Sequence, residues 1–240
     1  CGTEMPLPRA CPSCGAEHLA PIGFGTERIE EELRERIPDA RILRMDADTT
    51  GSKQSYEEML GKFRRHEADI LLGTQMVTKG HDFPSVTLVG VLLADSSLYV
   101  NDYRANERTF AMLTQVIGRA GRADLPGRAI IQTNCPENDV ISLACDQDYG
   151  TFYEREIRLR RALCFPPICD LALISFSGSA ENVVQIAGVR LLEELKKLRA
   201  EPEFQSAELL LFGPVEAPVY RVDNRYRQRI VIKCRLTRQV

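Results

Sequence analysis

The chain has 240 residues, a formal net charge of -3, and 44% hydrophobic and 27% charged residues. That length holds one large domain or two modest ones with an ample core, and the composition is that of an ordinary soluble globular protein. No apolar run is long enough to span a bilayer and no signal-peptide pattern opens the chain, so with its reduced thiols a cytoplasmic location and no membrane partner are expected. The charge excludes a uniformly basic coat but is uneven. Acids crowd residues 27–39, and between 221 and 238 Arg221, Arg225, Arg227, Arg229, Lys233, Arg235 and Arg238 face one acid, Asp223. A nucleic-acid partner would be met by a local patch.

At the N-terminus, Cys11-Pro12-Ser13-Cys14-Gly15 is a zinc knuckle by pattern, its turn aiming two thiolates at one ion. A redox pair is the rival, but such pairs open a helix after a strand, and prolines crowd the approach here. Cys1-Gly2 looks like the end of another knuckle. Tetrahedral zinc takes four ligands, and Cys1, Cys11 and Cys14 are the candidates. Residues 1–20 are therefore expected to be part of a zinc-binding segment cut by the chain start, with no complete site. Cys135, Cys145, Cys164, Cys169 and Cys234 read as buried free thiols.

An alternation of helix and strand follows. Thr26–Arg36 reads as a helix capped by Thr26, with Ile29, Leu33 and Ile37 at helical spacing and Pro38 ending it. Ala40–Met45 is a strand, then a polar turn from Asp46 to Gly51, a helix over Tyr56–Arg65, and a buried strand over Asp69–Leu72. A loop from Gly73 to Pro84 precedes a strand at Val86–Leu93, a long helix at Arg104–Arg119 and a strand at Arg128–Thr133. Strands separated by helices imply right-handed crossovers and a mainly parallel sheet with helices on both faces. An arginine-rich helix, Tyr149–Leu163, leads to Pro166-Pro167, which marks a boundary near 165. Beyond it come a strand at Leu171–Phe176, an amphipathic helix at Glu181–Arg199, strands near Ala207–Phe212 and Arg229–Lys233, and a turn at Gly213-Pro214. That order suits a small α+β domain of split βαβ type. It stops before its expected last elements, so truncation at both ends is expected.

Two segments carry chemistry. In Gln115-Val116-Ile117-Gly118-Arg119-Ala120-Gly121-Arg122, two arginines three apart share one helical face. Gly118 and Gly121 lie on the same side and leave room for a close neighbour. Guanidiniums keep their charge and present a rigid donor fork, which suits a phosphoryl group gathering negative charge. An ordinary solvated helix face is the alternative, but two helical glycines are costly without a packing or functional reason. The loop Gly73-Thr74-Gln75-Met76-Val77-Thr78-Lys79-Gly80-His81-Asp82-Phe83-Pro84 leaves the C-terminal end of a parallel strand, where open α/β sheets bind ligands. Asp82 can hold a ribose hydroxyl, a backbone amide or His81. Alone, the loop is equally an ordinary βα connection.

Together the loop and the Q-x-x-G-R-x-G-R segment resemble motifs V and VI of superfamily 2 helicases. With Cys-Pro-Ser-Cys-Gly, Gly23-Phe24-Gly25-Thr26-Glu27, Arg44 to Thr50, Phe165-Pro166-Pro167, Gly213 to Pro218 and Arg225-Tyr226-Arg227, the whole chain is similar to the primosomal replication-restart helicase family. That resemblance implies a second RecA-like helicase lobe over 21–165 with the partial zinc segment at its edge. A C-terminal α+β DNA-binding domain would occupy 166–240. It implies an ATP-dependent 3′-to-5′ DNA helicase that recognises stalled or abandoned forks and initiates primosome assembly. Expected partners are forked DNA, the single-stranded DNA-binding protein, other primosome proteins and the replicative helicase loader.

By the same resemblance Arg119 and Arg122 reach ATP on the other lobe, Arg122 as finger, and Gln115 senses the nucleotide. Gly80, Asp82 and Gly118 border the nucleotide with its magnesium, while Thr74, Gln75 and Lys79 face DNA, as do Arg225, Tyr226 and Arg227. Cys11 and Cys14 belong to one zinc and Cys1 to another. No G-x-x-x-x-G-K-[ST] occurs in the chain: Gly61-Lys62 runs into Phe63. Since the arginines must arrive opposite the phosphates, the chain alone is expected neither to hydrolyse ATP nor to unwind DNA. The rivals are another superfamily 2 translocase and a non-catalytic zinc-bearing module that binds nucleic acid or protein.

Overall fold

Met45 and Leu60 are sealed from solvent where the first strand meets the second helix, and the first layer of the fold is built around such pairs. The structure is a computed structural model that describes residues 8, 10, 14–17, 25–46, 53–74, 83–121, 126–204 and 209–235. The chain divides into two units, 9–152 and 153–240, the latter including 1–8.

In the first unit the order is α1 (Thr26–Arg36), β1 (Ile42–Met45), α2 (Lys53–Arg64), β2 (Ile70–Gly73), β3 (Leu88–Val91), α3 (Ala105–Ile117), β4 (Arg128–Ile131) and α4 (Asp139–Cys145). A 3₁₀ turn at Ala94–Ser97 follows β3. Among the described residues the strands form two parallel pairs. β1 lies on β2 with Met45 opposite Gly73, and β3 lies on β4 with Val91 opposite Ile131. The strand read as buried, β2, is half-buried along its length. The core joins Phe110 and Leu113 of α3 to Val140, Ile141 and Ala144 of α4, with Ala94 and Phe152. Phe110 and Phe152 stack at a 4.1 Å centroid separation, an aromatic contact added to the area both bury.

α4 is an element the sequence reading passed over. Asn138 caps it, Oδ1 accepting from the Val140 amide at 2.9 Å, which satisfies a first-turn donor. Thr26, read as the cap of α1, is instead its first helical residue. Gly25 holds the cap position with no side-chain bond, and the Thr26 hydroxyl donates to Asp46 Oδ2.

Helix α5 (Tyr149–Leu163) carries the chain into the second unit, which continues with β5 (Asp170–Gly178), α6 (Glu181–Ala200), β6 (Leu210–Val222) and β7 (Arg225–Cys234). The order β5-β7-β6 is antiparallel at both contacts, so β5 and β6 are parallel to each other with β7 between them. This is the expected split βαβ arrangement. β7 is therefore the central strand and not an edge. Its alternating charges do not guard an open edge but mark one face of the sheet.

Gly213-Pro214, read as a turn, lies inside β6. The peptide is cis, Gly213 has φ +122°, and the register slips between Phe212 and Val215. A bulge thus absorbs the residues that a turn would have used to reverse the chain. The reversal comes at Asp223-Asn224, both at positive φ (49° and 57°), a two-residue hairpin turn that short polar side chains tolerate. Gly188 lets α6 settle on the sheet. A methyl there would stand 2.6 Å from Phe176 Cζ and 2.9 Å from Pro214 Cβ.

Candidate nucleotide and nucleic-acid sites

α3 ends at Ile117. Gly118 still donates to the Thr114 carbonyl, but Arg119 and Ala120 donate three residues back, to Val116 and Ile117, so the last turn tightens. Gly121 then takes φ +69° and donates to the Val86 carbonyl at 3.1 Å. This corrects the single helical face drawn for the two arginines. A left-handed glycine stands between Arg119 and Arg122, the common way for a helix to stop. Among the described residues no other element packs against Gly118. The nearest atoms to a methyl there are the carbonyl oxygens of Thr114, at 3.3 Å, and Gln115, at 3.8 Å. Gln115 is exposed, and Arg119 is partly buried with interactions of its own.

Gly127 closes the segment from the other side. Its Cα faces the backbone of Ala120 and Gly121 so closely that a methyl would overlap it, at 1.9 Å from the Gly121 nitrogen. One residue later the Arg128 amide donates to Thr87 at 2.8 Å. Arg119–Gly121 is thus held against the start of both β3 and β4. At the opposite, C-terminal end of that pair, buried Asp95 accepts from the Asn134 amide at 2.9 Å. This bond, with one from Thr133, holds its carboxyl below the usual carboxylate range.

Thr74 leaves the C-terminal end of β2 and is exposed. The exit of its loop is pinned by Phe83, edge-on to Phe63 at 5.1 Å with the Arg64 guanidinium 5.9 Å from its ring. Gln75, Lys79, Gly80, Asp82 and Arg122 lie outside the described residues, as do Cys1 and Cys11. Cys14 is exposed, beside Gly15 at φ +74°. Among the described residues no group of three or more His, Cys, Asp or Glu could hold a metal.

In the second unit, α6 covers one face of the sheet and the other carries the charge. Register puts Leu173, Val231 and Phe212 in one row on the outer face. Ser175, Arg229 and Val215 form the next, and Ser177 with Arg227 a third. Leu173 and Phe212 remain 57% and 46% exposed. Arg227 and Arg229 alternate on this face, and the Arg229 Nε is buried with no partner among the described residues. Arg229 belongs with the candidates. The signal was the period of two in Arg225, Arg227 and Arg229, which a triplet of neighbours obscured.

Arg225 donates to the hydroxyl and carbonyl of Ser177, at 3.3 and 3.2 Å. Tyr226 points to the other face, edge-on to Tyr220 at 5.6 Å and under the Arg221 guanidinium. Tyr220 donates to Glu181 Oε1 at 2.6 Å, and that bond pushes its hydroxyl up to about 12. Lys233 is committed to structure, donating to the Leu163 carbonyl and lying 3.9 Å from the Phe165 ring centroid.

Comparison with known proteins agrees with this division. Residues 24–124 match the helicase conserved C-terminal domain, so the first unit carries a helicase domain of α/β class. Residues 161–239 match the primosomal protein N C-terminal domain. The replication restart protein PriA of Bacillus subtilis is 45% identical over 97% of the chain and 28% of its own length. That of Synechocystis is 40% identical over 94% of the chain and 26% of its own length. That of Haemophilus influenzae is 36% identical over 97% of the chain and 31% of its own length. The chain belongs to the PriA family, and it spans between a quarter and a third of the length of these relatives. No helix of the described residues is long and apolar enough to cross a membrane.

Proposed function

We propose that the chain is the second motor lobe and C-terminal DNA-binding domain of an ATP-dependent 3′-to-5′ DNA helicase acting in replication restart. The observation that carries the reading is the intact Gln115, Arg119 and Arg122 set within a helicase C-terminal match, in a chain 45% identical to a replication restart protein along 97% of its length. The lobe takes a RecA-like form, a parallel sheet with helices on both faces. Arg122 and Arg119 reach phosphates bound elsewhere in the full protein and offset the negative charge gathered as the terminal phosphoryl departs. Gln115 reads the nucleotide, with Gly80, Asp82 and Gly118 beside it. Thr74, Gln75 and Lys79 follow the DNA strand.

In the second unit Arg225 and Arg227, with Arg229, meet the phosphate backbone, and Tyr226 supports them from the hairpin. Cys11 and Cys14, and separately Cys1, supply thiolates to zinc, which would fix the turn that carries them. Magnesium accompanies ATP. The work is done on forked DNA in the cytoplasm, together with the single-stranded DNA-binding protein, other primosome proteins and the replicative helicase loader. The test is unwinding of partial duplexes by the full-length protein. ATP-dependent opening from a 3′ single-stranded tail and not from a 5′ tail is expected. Opening from the 5′ tail, or none from either, defeats the reading.

A further inference from the structure

The outer face of the β5-β7-β6 sheet carries more than charge. The second unit makes its core on the other face, where Ile230 is sealed from solvent and α6 packs through Gly188 against Phe176. A solvated face of an antiparallel sheet is ordinarily polar. Here Leu173 on β5, and Phe212 and Val215 on β6, remain 57%, 46% and 42% exposed on either side of β7. Between them, on the middle strand, Arg227 and Arg229 stand two residues apart, about 7 Å along the strand. Their cross-strand neighbours are Ser177, Ser175 and Val215, and the rows that hold these five residues contain no acid. The Arg229 Nε is buried with no acceptor among the described residues. A donor shut away without an acceptor is costly, and a ligand oxygen would supply one. Lys233 adds positive charge at the end of the face, its Nζ 5.3 Å from the centroid of the Phe212 ring.

An exposed aromatic ring among aliphatic side chains, beside guanidiniums, offers stacking and phosphate contacts together. A single nucleic-acid strand uses both. A duplex keeps its base faces stacked inside and shows only base edges in its grooves. Its major groove admits a helix or a two-stranded ribbon, whereas this face is three strands wide with the arginines on the middle one. Laid on a duplex, it would touch phosphates alone and set Leu173 and Phe212 against charged backbone.

We infer that this face is a platform for single-stranded DNA, with a base stacked on Phe212 and phosphates held by Arg227 and Arg229. The inference deepens the DNA-binding role proposed above and rests on it: of the arms of a fork, this face takes an unpaired one. The test titrates the full-length protein with a fluorescent oligothymidylate and with a blunt duplex. It compares wild type with Phe212→Ala, Phe212→Tyr, Arg227→Ala and Arg229→Ala, and takes the melting midpoint of each. A strand carrying 5-iododeoxyuridine is also photocrosslinked to the wild type and the adduct located by mass spectrometry. That adduct reads this face even where other parts of the full protein hold DNA.

Loss of one stacked base predicts that Phe212→Ala weakens oligothymidylate binding by about tenfold and duplex binding by less than about twofold. Phe212→Tyr keeps the wild-type affinity. Each arginine variant flattens the slope of log affinity against log salt by about 0.7 for the single strand. The adduct falls on Phe212. The inference requires both the selective loss and the adduct. No adduct at Phe212 overturns it, and so does a Phe212→Ala variant that binds the strand as wild type does or loses strand and duplex equally. Those outcomes leave the helicase standing and give the face to a duplex or to a protein. A full-length protein that binds no DNA takes both readings down.

Discussion

Replacing Gly127 with alanine perturbs the arginine segment without touching an arginine. The added methyl would lie 1.9 Å from the Gly121 nitrogen, 2.2 Å from the Ala120 carbonyl carbon and 2.3 Å from the Gly121 Cα. Separations below 3.0 Å are essentially never seen for a real Cβ, so the two backbones must part by about 1.1 Å. All three atoms are backbone, and no side-chain rotation relieves them. Gly127 is tied in place by the next residue, whose amide bonds Thr87 and which begins the pairing of β4 with β3. Apart from its bonds back to the end of α3, Arg119–Gly121 is tied by a bond from Gly121 to Val86, ahead of β3, and the segment gives way before the paired strands do.

A catalytic group misplaced by about 1 Å costs about 100-fold in rate, and local overpacking costs about 1–3 kcal/mol of stability. Full-length Gly127→Ala should therefore lose about two orders of magnitude in kcat for DNA-stimulated ATP hydrolysis while remaining folded. Gly90→Ala is the control, since that position on β3 has nothing within 4 Å. A kcat for Gly127→Ala within about threefold of that control would show that Arg119–Gly121 does not set the reacting geometry, because a shift of about 1 Å at a reacting group does not pass so quietly.

Gly188→Ala drives a methyl into Phe176 and Pro214, at 2.6 and 2.9 Å. Urea unfolding of the second unit should show a loss of about 1–3 kcal/mol. Asp95 is held below the usual carboxylate range when folded, so its contribution is present above its unfolded pKa and fades as pH falls below about 4. Asp95→Asn should lower the melting midpoint at neutral pH and flatten its decline in acid. Tyr220 is raised to about 12, so its contribution holds below the unfolded pKa and is lost only as pH rises through that value. Ultraviolet titration should show a tyrosine ionising at about 12 that Tyr220→Phe removes.

Periodicity made the long elements legible. The 20 residues of α6 and the alternation in β5 announce their faces, and the split βαβ order followed from element order alone. The misses share one cause, tertiary partners invisible in a local window. Thr26 has the identity of a cap, but Asp46, just after β1, claims its hydroxyl. Gly213-Pro214 has turn chemistry, yet pairing with β7 carries the strand through it as a bulge.

The site was legible as motifs and not as geometry. Two arginines at i and i+3 suggest one helical face, whereas α3 ends at Ile117, before both, and Gly121 at φ +69° stands between them. The triplet Arg225-Tyr226-Arg227 reads as one patch, whereas strand alternation splits it and brings Arg229 to the side of Arg227. α4 was short enough, at seven residues, for its Asn138 cap and apolar spacing to pass unnoticed.

In the function proposed above, this chain supplies the arginines that complete an ATP site held elsewhere in the full protein. DNA-stimulated ATP hydrolysis by the full-length protein, wild type against Arg119→Ala and Arg122→Ala, tests it most directly, with fork-DNA affinity measured alongside. Loss of about a thousandfold in kcat for Arg122→Ala, with DNA affinity unchanged, is the result predicted for a guanidinium acting in the transition state. Hydrolysis at the wild-type rate in both variants would contradict the claim and leave the segment a structural turn between α3 and β4.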